Sequence, residues 1–125
     1  MPKLSMLAAL AAVPAALALA TPAQAQPMES YNARLSQQDH FNSNGQRLTT
    51  VAAIVRQDRA NYFRFGRGDP GDEPDRFFAS AANRARLEAL LDTGSISRAA
   101  ANQIINGTPM VHVEVWPHFV SVTVR

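Results

Sequence analysis

The sequence predicts an α+β domain, in which a small antiparallel sheet is covered on one face by about three helices. Alternating valines near the C-terminus indicate two strands that share one apolar face. Apolar residues at helical spacing fill the middle of the chain. A third alternating segment near the N-terminus supplies a further strand, which a two-stranded ribbon needs for stability. The N-terminal strand and the C-terminal hairpin together would then make the sheet.

The first 25 residues have the three parts of a secretory signal peptide. Lys3 supplies a positive start, residues 7–20 form an uncharged apolar run, and Ala23-Gln24-Ala25 is a small-x-small cleavage site. The apolar run of 14 residues is shorter than the ~20 that a membrane-spanning helix needs. We therefore expect residues 26–125 to form a single small domain that is periplasmic or secreted, as in small exported bacterial proteins, with no membrane span after cleavage.

Composition excludes several classes of function. The chain has 125 residues, is 46% hydrophobic and lacks cysteine, which excludes a disulfide framework, a thiolate zinc site and a cysteine nucleophile. Lys3 is the only lysine, so cleavage leaves eleven arginines against ten acids. That balance gives no long-range field for nucleic acid. The glycine patterns of nucleotide sites are absent, so we expect neither a nucleic-acid partner nor a cofactor.

The strands follow from period-two alternation. Tyr31, Ala33 and Leu35 alternate with polar residues and predict a short strand. The valines of the C-terminal segment are Val111, Val113, Val115, Val120, Val122 and Val124. A hairpin that turns at Pro117-His118 places all six on one face, whereas a shift by one residue scatters them. The parity requires a loop of two or four residues, and Pro117 favours four. One long strand with a bulge at Pro117 is the alternative.

Three helices are predicted between these strands. The segments are 48–63, 81–91 and 96–105. Thr49 or Thr50 would cap the first helix, with residues 56–59 on its outer face. Ser95 would cap the third helix, and Gly107 would end it. Asp75 would cap a turn that carries two phenylalanines.

A cluster of arginines and aromatic residues is the first candidate site. Its predicted binding residues are Arg56, Arg59, Arg64, Arg67 and Tyr62. Guanidinium groups beside aromatic rings bind phosphates and carboxylates. The sequence therefore favours a small exported, non-enzymatic binding module that contacts an anionic envelope component or a protein partner. The sequence does not predict the oligomeric state.

A histidine and glutamate face on the hairpin is the alternative. His112 and Glu114 lie two residues apart and would point away from the valines. His118 would lie at the adjacent turn, and His40 would join if its segment lay beside the hairpin. Imidazole and carboxylate ligands suit Zn²⁺, so these four residues predict a metal-binding protein or a metal-dependent hydrolase.

An acidic loop is a third candidate. It contains Asp69, Asp72, Glu73 and Asp75 between glycines and prolines. Oxygen ligands of this kind bind Ca²⁺, but their spacing differs from that of the 12-residue calcium loop. A solvated loop in which Asp75 caps a helix is the simpler interpretation.

Overall fold

The computed structural model describes residues 25–92 and 94–125. The strands are β1 (Glu29–Arg34), β2 (Met110–Val115) and β3 (Val120–Val124). The α-helices are α1 (Val51–Phe63), α2 (Ala81–Arg84), α3 (Leu87–Asp92) and α4 (Arg98–Asn106), and a short 3-10 helix spans Gln37–His40. The predicted signal peptide lies outside the described residues, apart from Ala25.

The predicted hairpin and its register are confirmed. Strand β2 pairs antiparallel with β3, and Val115 lies opposite Val120, with the other valine pairs in the same register. The loop has four residues and is closed by the amide of Trp116, which donates to the carbonyl of Phe119 at 2.9 Å. The alternative of one long strand is therefore wrong. A register shifted by one residue would have turned the valines of one strand to the opposite face.

The N-terminal strand completes the sheet as predicted. Strand β1 pairs antiparallel with β2, so the spatial order is β1-β2-β3. Tyr31 lies opposite Val113, and Ala33 lies opposite Val111. These side chains and Leu35 are buried on the valine face. The buried core lies between this face and the helices, and it contains Ile54, Val55, Phe78, Leu87, Leu90 and Ile104.

The helix over residues 81–91 is divided in two, so the described residues contain four α-helices where about three were predicted. The break falls at Ala85, where α2 ends. Arg84 is 8% exposed, and its guanidinium donates to the carbonyl oxygens of Phe78 and Ala79. These bonds satisfy the buried guanidinium. Leu87, the first residue of α3, is buried in the core.

The N-caps confirm one of the two caps predicted for the first helix and correct the cap predicted for the third. Thr50 caps α1, since its hydroxyl accepts from the amide of Ala53 at 3.2 Å. Ser97 caps α4 in the same way, in place of Ser95. The carbonyl of Ser95 instead accepts from the amide of Val122 at 3.1 Å. Backbone pairing with β3 thus holds this segment extended for two more residues before α4 begins.

None of the described helices combines the length and the apolar character that crossing a membrane requires. This agrees with the prediction of no membrane span after residue 25. The longest of them, α1, has 13 residues and carries charged side chains along its length.

Candidate functional site

Arg59 lies in the core, although the sequence analysis placed it on the outer face of the first helix. Its side chain is 0% exposed, and that of its neighbour Asp58 is 1% exposed. The outer-face prediction is therefore wrong for these two residues. Arg59 follows Val55 by one helical turn and precedes Tyr62 by almost another. The apolar stripe of α1 thus runs through Arg59, and this spacing was the signal that could have revealed it.

Two carboxylates and a carbonyl hold the buried guanidinium. Arg59 Nε donates to Asp58 Oδ2 at 2.8 Å, and Nη1 donates to Asp75 Oδ1 at 3.1 Å. Nη1 also donates to the carbonyl of Glu73 at 2.9 Å. A buried cation needs such partners because desolvation is costly. The predicted helix cap Asp75 also accepts from the amide of Phe78, so it performs both tasks.

Aromatic rings surround the same guanidinium. Its central carbon lies 4.1 Å from the ring centre of Tyr31, 4.8 Å from that of Tyr62 and 5.5 Å from that of Phe63. The negative ring faces stabilise the cation where water cannot reach it. Arg59 thereby joins α1 to β1 and to the loop over residues 64–80. Tyr62, predicted as a binding residue, serves this internal cluster.

Three aspartates, one of which is the Arg59 partner Asp58, lie close together. Asp39, Asp58 and Asp69 each place one carboxylate oxygen within 4.8 Å of the others. Among the described residues this is the one such group of three or more potential metal ligands. The side chain of Asn61 donates to Asp39 Oδ1 at 2.8 Å. The sequence does not reveal this group because its members come from three separate segments of the chain.

Burial dominates the electrostatics of these carboxyls. It raises the pKa of Asp39 to about 6, against the hydrogen bonds from Asn61 and Ser36, which lower it. Burial also raises the pKa of Asp58 well above its ordinary value, and the nearby charge of Arg59 does not outweigh it. The same cause raises the pKa of Asp75. One arginine therefore does not offset the cost of burying so many carboxylates.

Among the described residues, the four acids of the calcium-loop candidate do not form a cluster of potential metal ligands of their own. Glu73 Oε1 accepts from the amide of Asn32 at 2.7 Å, and Asp72 Oδ1 accepts from the amide of Arg34 at 2.7 Å. These two side chains attach the loop to the edge of β1, whose outward backbone amides would otherwise be unpaired. Of the four acidic residues, only Asp69 enters the three-aspartate cluster.

The remaining predicted arginines lie on the surface. Arg56, Arg64 and Arg67 are exposed, and Phe65 between the last two is 39% exposed. The guanidinium carbons of Arg64 and Arg67 lie 5.1 and 5.8 Å from the centre of the Phe65 ring. Within residues 25–92 and 94–125, the only ion-paired arginine is Arg59. The three surface arginines thus keep their charge available to a ligand.

Two adjacent clefts border these arginines. The first, about 390 Å³, is lined by Gln38, Phe41, Asn42, Ser43, Gln57, Asn61, Phe65 and Arg67. The second, about 350 Å³, shares Asn42, Ser43, Gln57 and Phe65 with the first and adds Arg56 and Arg64. Because they share four lining residues, the clefts form one surface, which we call the arginine cleft. It lies between the end of α1 and the turn over residues 41–47.

The structure does not bring the four predicted histidine-site residues together. His112 and Glu114 lie on the outer sheet face, 3.7 Å apart, and His112 Nδ1 also contacts Asn32 Oδ1 at 2.9 Å. His118 is exposed in the hairpin loop. His40 is buried, with one ring nitrogen 2.8 Å from the carbonyl oxygen of Ser36 and the other 2.7 Å from that of Ile104. His40 therefore fastens the 3-10 helix to α4.

Comparison with known proteins adds no assignment. No family model matches the chain, and neither a curated protein nor a solved structure shows significant similarity to it.

Proposed function

We propose that the protein is a small non-enzymatic binding module that takes an anionic ligand in the arginine cleft. The observation that carries this proposal is the set of three exposed arginines without carboxylate partners among the described residues. An exposed cation usually gains little from a neighbouring acid. Three such cations beside one concave surface instead favour an anion from outside the chain, bound by charge-assisted hydrogen bonds.

The guanidinium groups are well placed for planar anions. Arg64 and Arg67 flank Phe65, which restricts their orientations through contact with the ring. A restricted guanidinium loses less side-chain entropy on binding, and its fork of donors matches a carboxylate or a phosphate. Carboxamides along the cleft, such as Gln57, offer further hydrogen bonds to polar parts of the ligand.

The residues along the cleft support binding rather than catalysis. Among the described residues that line the two clefts there is neither a histidine nor a carboxylate. General acid–base chemistry uses such groups within hydrogen-bond reach of the substrate. The ligand class is therefore an anion that is held without being converted.

Export belongs to the same proposal and rests on the first 25 residues of the sequence. A protein that acts in the periplasm or outside the cell meets anionic envelope components and exported partners. The protein recovered from its own expressing cells should begin at Gln26, as measured by intact-mass spectrometry. Recovery of the full 125-residue chain from the cytoplasm would contradict this part.

The binding experiment uses two defined anions. Titration calorimetry at low salt with trigalacturonate and with tripolyphosphate separates carboxylate recognition from phosphate recognition. Arg64→Ala and Arg67→Ala should each weaken binding of the preferred anion by about tenfold, while Arg64→Lys should retain part of it. Binding should also weaken with added salt.

Arg98→Ala is the matched control, since Arg98 is an exposed arginine at the start of α4 and outside the cleft. It should leave affinity unchanged. Equal losses in Arg98→Ala and Arg67→Ala would show unspecific attraction and overturn the site. Failure of both anions to bind the wild-type protein would overturn the proposed ligand class.

A further inference from the structure

The three-aspartate cluster has the spacing of a cation site. Asp39 comes from the 3-10 helix, Asp58 from α1 and Asp69 from the loop over residues 64–80. One oxygen of each lies within 4.8 Å of the other two. Oxygens on opposite sides of one Ca²⁺ ion are about 4.6–5.2 Å apart, because Ca–O distances are 2.3–2.6 Å. The three oxygens can therefore contact a single ion.

A second observation points to a missing ligand at this place. Asp58 is 1% exposed, and its Oδ1 has no hydrogen-bond partner among the described residues. Its other oxygen, Oδ2, is held by Arg59 Nε at 2.8 Å. A buried carboxylate oxygen without a partner is costly. A cation that Asp58 binds through Oδ1 would satisfy that oxygen.

Neighbouring donors already orient the other two carboxylates. Asn61 Nδ2 donates to Asp39 Oδ1 at 2.8 Å, and the amide of Ser36 donates to Asp39 Oδ2 at 2.9 Å. The hydroxyl of Ser36 lies 2.7 Å from Asp69 Oδ2 and 3.2 Å from Asp39 Oδ2. One hydroxyl proton serves only one of these oxygens. The outer partners thus fix ligand directions in the manner of a second coordination sphere.

The charge at the cluster is unbalanced. Arg59 is the cation in contact with Asp58, and it is also shared with Asp75 and stacked on Tyr31. The carboxylate of Asp72 adds negative charge nearby, since its Oδ2 accepts from the amide of Asp69 at 2.7 Å. One guanidinium therefore faces several carboxylates, and a divalent cation would restore the balance.

We propose that Asp39, Asp58 and Asp69 bind one Ca²⁺ ion. The oxygen-only donor set disfavours Zn²⁺ and copper, which prefer nitrogen or sulfur ligands. Mg²⁺ needs oxygens at 2.0–2.1 Å in a near-ideal octahedron and gives up its waters reluctantly, whereas Ca²⁺ accepts a flexible set of carboxylate oxygens. The ion would connect the 3-10 helix, α1 and the loop over residues 64–80. The proposal does not depend on anion binding in the arginine cleft.

Calcium titration of the purified, chelator-treated protein at neutral pH tests the site. The melting temperature should rise with Ca²⁺ concentration, with a much smaller rise in Mg²⁺, and calorimetry should give one ion per chain. Asp58→Asn should remove the response. Asp69→Asn provides a second test at a less buried position, and it should weaken Ca²⁺ affinity by about 10- to 100-fold or more. Glu88→Gln, an exposed change on α3, should keep the wild-type response.

Three results would overturn the site. The first is wild-type protein that shows neither heat nor a change in melting temperature up to about 10 mM Ca²⁺, beyond the weakest protein calcium sites. The second is calcium binding that persists unchanged in both aspartate variants. The third is a wild-type melting temperature that does not change with Ca²⁺, together with a higher melting temperature in Asp58→Asn. In that case a proton shared between the carboxylates, and not a cation, would hold the cluster together.

Discussion

The guanidinium of Arg59 stacks on the ring of Tyr31, with its central carbon 4.1 Å from the ring centre. This contact joins α1 to β1, two elements that follow each other in the chain but meet only in the folded core. Asp58 and Asp75 complete the environment of the cation. The core of this small domain is thus partly ionic, and its stability should depend on that one arginine.

Arg59→Ala should lower the free energy of unfolding by about 3–5 kcal/mol, because it leaves the carboxylates of Asp58 and Asp75 buried without their cation. Urea denaturation measures the change. Arg56→Ala, an exposed change on the same helix, should stay within about 0.5 kcal/mol of wild type. Similar losses in both variants would contradict the role given to Arg59.

Gly94→Ala should be strongly destabilising because of contact rather than conformation. A Cβ at this position would collide with the carbonyl oxygen of Val120 on β3. The cost should reach at least the upper end of ordinary overpacking, about 3 kcal/mol. Gly45→Ala is the control, since Gly45 has φ +77° and open space around it, so only about 1 kcal/mol of backbone strain is expected. Thermal melting compares the two, and an equal loss would refute the close packing of residue 94 on β3.

Ser97→Ala should cost about 1 kcal/mol, because it removes the hydroxyl that accepts from the amide of Ala100 at the start of α4. Ser95→Ala should be nearly neutral, since Ser95 pairs with β3 through its backbone. Denaturant titration of both variants decides between the two caps. A larger loss in Ser95→Ala would restore the helix start that the sequence predicted.

Stability should change with pH through Asp75. Burial raises the pKa of Asp75 above its ordinary value of 3.8, so the folded state favours the protonated form. The stability that the protonated carboxyl of Asp75 contributes is fully present below pH 3.8, the ordinary pKa. It is lost as the pH rises through the pKa that Asp75 has in the folded protein. The free energy of unfolding of the wild type, relative to that of Asp75→Asn, should therefore fall from about pH 4 upward. Urea titrations with chelator at several pH values measure it, and a difference that grows with pH would reverse the sign.

The sheet was predictable from sequence because three segments with period-two alternation indicate the same arrangement of strands. The hairpin register predicted from a turn at Pro117-His118 places the valines of both C-terminal strands on one face, and the structure adopts it. The α1 boundary was nearly correct for a similar reason, since Thr50 is a good cap before a helical stripe. The predicted helix over residues 81–91 is interrupted at Ala85, and the contacts of the buried Arg84 with the carbonyls of Phe78 and Ala79 are not visible in the sequence.

The candidate sites were less predictable. Charged residues in a helix are assigned to solvent by default, and this default failed at Asp58 and Arg59. It held for Arg56, Arg64 and Arg67, which border the arginine cleft. The partners that make burial of Arg59 tolerable come from Tyr31 and Asp75, far away in the chain. No local sequence pattern indicates that Tyr31 and Asp75 are partners of Arg59.

The sequence by itself determined the α+β class, the hairpin and its register, because alternation and turn chemistry act over a few neighbouring residues. Only the tertiary structure decided which charges are inside. Burial of Arg59 and the meeting of Asp39, Asp58 and Asp69 depend on contacts between segments 11 to 30 residues apart. Whether such charges are buried depends on the cost of removing them from water and on the stabilisation that their partners provide. Those partners come together only when the chain has folded.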